Sequence, residues 1–180
     1  MAEGIQRLSL IVWTAIMASA IAVGAYLIVP IGPVPISMQP LFVFLAGMIL
    51  GPRYGMAAVG LYILAGIAGM PVFSGGGAGI GYALGPTGGY LVGFLLSPLF
   101  TGRVRDEQGG FGWISGLFWG LCAMLVIYGI GSVWLKMSLD LTWGKTLTVG
   151  VIPFAPWDEL KVVAAILISR YLQRISLLPG

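Results

Sequence analysis

The sequence predicts an all-α membrane protein: a six-transmembrane-helix bundle in a single domain over residues 1–180, with both termini in the cytoplasm. Hydropathy, segmentation and charge placement carry that prediction. The chain is 58% hydrophobic and only 8% charged, with a mean hydropathy of +1.00, whereas a soluble domain usually carries about 25% charged residues. Apolar segments run from about Leu8 to Val29, Ile36 to Leu50, Tyr54 to Met70, Leu84 to Thr101, Trp113 to Leu135 and Pro156 to Leu172, separated by Pro, Gly or charge. At about 20 apolar residues per span the length holds about six helices and no soluble catalytic domain. In that scheme Arg7, Arg53, Arg103, Arg105, Arg170 and Arg174 fall on one side and Lys136 and Lys145 on the other, which makes the arginine side cytoplasmic in a multi-pass protein of the cell membrane.

Taken in order, the first segment follows Glu3 and Arg7. At about 22 apolar residues it exceeds a signal h-region of about 7–15, so Ala18-Ser19-Ala20 reads as helix and not as a cleavage site. Ala18-x-x-x-Ala22 and Ala20-x-x-x-Gly24 flatten one face, which allows close backbone approach either inside the bundle or to a docking partner. The second segment, about 15 residues, is short for a span, and Pro33, Pro35, Pro40 and Gly51-Pro52 predict a bent or shallow start. Between the third and fourth, residues 74–89 hold Gly75, Gly76, Gly77, Gly79, Gly81, Gly85, Gly88 and Gly89, a connection able to fold over a ligand or to serve as a flexible re-entrant link. Met137 to Pro153, with Asp140, Thr142 and Lys145, reads as a loop with a short interfacial or re-entrant helix. The outward connections are the Pro- and Gly-rich ones, and the sixth segment opens on that side.

With no histidine and one cysteine, the usual zinc, haem and iron–sulfur ligand sets are absent, as are Ser/His and Cys/His nucleophile pairs. The expectation is no catalytic residues, no metal and no cofactor. Cys122 reads as a small buried hydrophobe. The formal charge is +3, but the nine basic residues never form a run, so no nucleic-acid partner is expected. Gly144-Lys145-Thr146 ends like a phosphate-binding loop, yet Leu139 stands where its first glycine belongs.

Asp158 and Lys161 are three residues apart at the start of the last apolar segment, on one helix face. Ionisable groups near the hydrocarbon cost a few kcal/mol each on insertion scales, so they either serve a ligand or neutralise one another. A structural ion pair at a helix N-terminus, with Asp158 favoured by the dipole, is the competing use. Glu159 points away around the helix, and Arg53 and Arg103 read as cytoplasmic anchors.

Several blocks carry a family resemblance: Gly32-Pro33-Val34-Pro35-Ile36-Ser37-Met38-Gln39, Leu45-Ala46-Gly47 with Leu50-Gly51-Pro52-Arg53, Gly69-Met70-Pro71-Val72-Phe73, Leu84-Gly85-Pro86-Thr87-Gly88-Gly89-Tyr90, and Pro153-Phe154-Ala155-Pro156-Trp157-Asp158 with Lys161. In order and over most of the chain, these resemble the BioY family, the biotin-specific S components of energy-coupling factor (ECF) transporters. The resemblance implies the ECF S-component type of six-helix bundle, biotin captured from outside, and docking onto a transmembrane T component with two cytoplasmic ATPase subunits. It also implies that Ala18 and Ala22 form the docking face.

Biotin's ureido N–H groups, ureido carbonyl and valerate carboxylate then find Asp158 as acceptor and Lys161 as donor to either oxygen function. Gln39 and Ser37 are further candidates for the ureido head, and Tyr82 and Tyr90 for the thiophane ring. Some family members carry a polar or charged side chain in the loop after Pro-Val-Phe; here Ser74 precedes glycines, so contact there falls to Ser74 or to backbone. The alternative is a stand-alone carrier or channel for another small solute, although no repeat symmetry between halves supports it. An enzyme would need Asp140 and Asp158 as its carboxylate pair, and those lie on a loop and a helix end.

Overall fold

The computed structural model describes residues 2–29, 34–104 and 110–178; Gly32, Pro33 and Arg105 lie outside the described residues. Apolar runs become helices because hydrocarbon offers the backbone no hydrogen-bond partner. Helix α1 covers Ala2–Tyr26. The chain then turns extended, and β1 (Ile28–Val29) pairs antiparallel with β2 (Ile36–Ser37), Ile28 opposite Ser37 and Val29 opposite Ile36. This short ribbon delivers Ser37 directly before α2 (Gln39–Ile67).

Helix α2 is 29 residues long but is not one rod. Gly51 has φ 75° and ψ 179°, a conformation open essentially to glycine alone, and Pro52 follows it. A β-carbon on Gly55 would lie 2.9 Å from the Gly47 Cα, whereas eight residues of straight helix would separate them by about 12 Å. The two limbs therefore fold back on each other as a helical hairpin, which is why the sequence reads as two apolar segments. The bend sits at Gly51 and not at the start: Pro40 occupies the first turn, where its missing N–H costs nothing.

The glycine-rich connection is more ordered than a flexible link. It forms a 3-10 turn over Ser74–Gly76, then α3 (Gly79–Ala83), and its last glycines open α4 (Gly88–Leu96). Helix α4 continues through helical Ser97 into α5 (Pro98–Thr101), so the fourth apolar segment becomes helical four residues later than expected, after Gly85-Pro86. Helix α6 spans Trp113–Leu139 and ends at Asp140 in the left-handed conformation. The expected short helix follows as α7 (Trp143–Gly150), where the Thr142 Oγ1 accepts from the Lys145 N–H at 3.4 Å. Helix α8 covers Ala155–Arg174.

Helix α2 packs against α1, α4, α5 and α8, while α6 packs against α4, α5, α7 and α8. The α6–α8 contact positions the Asp158–Lys161 pair. A β-carbon on Gly120 would lie 2.4 Å from Val162 Cγ1, and one on Gly116 2.8 Å from the Ile166 side chain, so α8 sits in a groove that only glycine leaves open. Asp158 continues the Val162–Ile166 line one turn earlier, facing α6. The outer surface is greasy, as Leu8, Ile114 and Leu125 show. Residues 4–26, 39–67 and 113–139 are long and apolar enough to cross a membrane.

Candidate ligand-binding site

Between β2, both limbs of α2, residues 74–87, α4, α6 and α8 lies a cavity of about 580 Å³ when the open space at its mouth is included, with a mostly apolar wall and a few convergent polar groups as in small-molecule sites. Ser37, Gln39, Ser74, Tyr82, Tyr90, Asp158 and Lys161 all line it. Tyr62, Thr87 and Tyr128 add polar groups, and Val34, Leu91, Phe94, Ile127 and Phe154 add apolar wall.

The polar end is built around the pair on α8. Lys161 Nζ stands 2.5 Å from Asp158 Oδ1 and donates to the Ser37 carbonyl at 2.7 Å. Tyr128, on α6, donates to Asp158 Oδ2 at 2.7 Å. Asp158 and Lys161 are each only 6% exposed, so neither could stay charged there without the other. Asp158 also lies in the first turn of α8, where the helix dipole favours a negative charge. The pair is not saturated: an ammonium has three donors and each carboxylate oxygen two lone pairs. A ligand can thus add a donor and an acceptor without breaking these bonds. Glu159 is exposed, off the cavity.

A second strand of polarity starts at Ser37, whose Oγ donates to Gln39 Oε1 at 3.2 Å while Gln39 Nε2 donates to the Tyr62 hydroxyl at 2.5 Å. Tyr62 meets Phe73 edge-on at 5.7 Å, and Phe73 stacks on Tyr82 at 5.0 Å. This row of rings ties the floor of the cavity to residues 73–82 above it. The Tyr82 hydroxyl donates to the Ser74 carbonyl at 3.2 Å, and burial pushes its pKa up from the ordinary tyrosine value, so it remains a donor. Tyr90 is anchored elsewhere, donating to the Gly150 carbonyl of α7 at 2.8 Å.

Tyr62 and Tyr128 were not singled out from the sequence. A signal existed: both stand mid-segment, whereas tyrosines of an interfacial belt sit at segment ends, and a mid-span hydroxyl needs a partner. Their partners, Gln39 and Asp158, are 23 and 30 residues away, so nothing local announced the contacts.

A family model described as the BioY family matches residues 2–177. The chain belongs to the BioY family. Relatives include "Biotin transporter BioY" of Thermotoga maritima, 38% identical over 162 residues, covering 89% of this chain and 94% of that protein. "Probable biotin transporter BioY" of Pyrococcus horikoshii is 38% identical over 159 residues, covering 88% and 93%. Among solved structures, the 2.1 Å crystal structure of the S-component for biotin from an ECF-type ABC transporter superposes with a TM-score of 0.86 at 28% identity, covering 94% of this chain and 93% of that one. This is a BioY chain with the S-component fold.

Viewed on that fold, the small-residue ridge of α1 is split. Ala18 is only 7% exposed and belongs to the buried core, whereas Ala22 is half-buried. Ala15 and Ser19 are exposed beside it. Of the two residues expected to meet a partner, Ala22 alone reaches towards the BioY surface.

Proposed function

We propose that this protein is the biotin-binding S component of an ECF-type transporter, taking biotin into the cavity and delivering it across the cytoplasmic membrane with a T component and two cytoplasmic ATPase subunits. The observation that carries this is the meeting of Ser37, Gln39, Ser74, Tyr82, Tyr90, Asp158 and Lys161 on one cavity, in a chain of the BioY family. The chemistry matches a cyclic urea on a greasy body. Asp158 accepts from a ureido N–H, Lys161 donates to a ligand oxygen, Gln39 with Ser37 completes the polar head, and Tyr82 and Tyr90 present ring faces to the thiophane. The purified chain should bind biotin and leave lipoate and thiamin unbound in a calorimetric titration. Neither of those two carries a cyclic urea, so equal affinity for either one sinks the assignment.

In the membrane, α1, the two limbs of α2, the α4–α5 run, α6 and α8 serve as six spans, with both termini cytoplasmic. Two observations support this: the α2 hairpin converts one long helix into two passes, and α8, at 20 residues, is about 30 Å long, the thickness of the hydrocarbon core. A tag at either terminus is expected to be labelled only after the cells are permeabilised. Labelling of a C-terminal tag on intact cells contradicts this topology.

A further inference from the structure

We propose that Tyr128 is the positioning residue of this site: its hydroxyl fixes the plane of the Asp158 carboxylate and so sets the direction from which a ligand N–H is accepted. The proposal rests on the biotin site described above and adds a role that the family resemblance did not supply.

The direction of the bond is certain on chemical grounds. A carboxylate paired with an ammonium has no proton to give, so the 2.7 Å contact to Oδ2 runs from the tyrosine. The terminal torsion of an aspartate is broad and roughly two-fold, so a hydrogen bond to one oxygen leaves the carboxylate free to rock about its Cβ–Cγ bond. Lys161, itself tied to the Ser37 carbonyl, holds only Oδ1, and a single contact to one oxygen leaves the carboxylate plane free to turn about it. Tyr128 holds the other oxygen from a different helix, on a rigid ring. With α8 seated in the Gly116–Gly120 groove, the two helices cannot slide apart to relax that contact. Two oxygens pinned from two helices leave the remaining lone pairs with one orientation. That preorganisation raises affinity without Tyr128 having to touch the ligand.

The test is a double-mutant cycle on the full purified chain, with biotin affinity as the readout for wild type, Tyr128→Phe, Asp158→Asn and the double variant. Tyr128→Phe is expected to weaken biotin about ten-fold. In the Asp158→Asn background the same change should cost less than about two-fold, since there is no carboxylate left to orient. A merely structural tyrosine gives the same loss in both backgrounds, and that result overturns the proposal, as does full affinity in Tyr128→Phe. If Tyr128→Phe does not survive purification, 4-methylphenylalanine and 4-aminophenylalanine at position 128 replace it. Both fill the space, but only the amine donates. Recovered affinity with the amine and not the methyl supports positioning, and equal affinity with the two overturns it. Unchanged biotin binding in Asp158→Asn alone defeats the site assignment and this proposal with it. A loss there with none at Tyr128→Phe defeats only the role of Tyr128.

Discussion

Asp158→Asn is expected to lower biotin affinity at least ten-fold in the purified chain. The substitution keeps the shape, removes the charge assistance worth about 1.5–3 kcal/mol, and puts a donor where one acceptor stood. It also leaves the Lys161 ammonium at 6% exposure with the Ser37 carbonyl as its remaining neighbour from the original pair of contacts. The protein should therefore lose stability in detergent too, since breaking a buried pair from one side costs about 3–5 kcal/mol. Lys161→Ala strands the Asp158 charge with only the Tyr128 hydroxyl and should behave similarly. If Lys161 serves the valerate, biotin amides are insensitive to its removal; if it serves the ureido carbonyl, amides and acid lose equally. The variant that separates function from scaffold is the double replacement of Asp158 and Lys161 by leucine. It removes both charges together and should recover stability. Under the biotin-site assignment it binds no biotin. A stable double variant that still binds biotin would mean that the pair is only a structural strut.

Ala22→Trp is expected to impair uptake while leaving biotin binding by the isolated chain intact. Ala22 is half-buried on α1 beside exposed Ala15 and Ser19, so a large ring there projects where another helix would have to approach closely. Overfilling such a contact costs about 1–3 kcal/mol, or about five-fold to a hundred-fold in association with the T component. Ala18→Trp should behave differently. Ala18 is in the core of this chain, so the ring has no free space, and the loss appears as a lower melting temperature of the isolated protein before any partner is added. Co-purification with the T component, biotin titration and thermal melting together distinguish the two variants. Intact assembly in Ala22→Trp would show that the docking face lies elsewhere.

The cavity was legible in the sequence where residues violated their surroundings. Asp158, Lys161 and Gln39 are polar groups in apolar helices, and that expense flags a site whatever the fold. Tyr90 was legible within a block that resembles the family, Ser74 through its place directly after another, and Tyr82 through its position in the glycine-rich connection. Tyr62 and Tyr128 were not, because a tyrosine is at home in a membrane protein and its significance lies in the partner it reaches across the bundle. The docking ridge was half legible. An i, i+4 pair of alanines identifies a helix face, but the direction that face points depends on how α1 is rotated against α2, and the rotation buries Ala18.

By itself the sequence determined the membrane solvent, the division into apolar segments and the ionisable pair, since each follows from local composition, periodicity or spacing, while its motif blocks carried the family resemblance. Only the tertiary structure decided that α2 doubles back at Gly51, that the Gly116–Gly120 groove aims Asp158 at Tyr128, and that Lys161 reaches the Ser37 carbonyl 124 residues away. The physical reason is range. A helix or a break is set by neighbours along the chain, whereas a side chain's partner is set by which helix faces meet, and that depends on packing summed over the whole bundle.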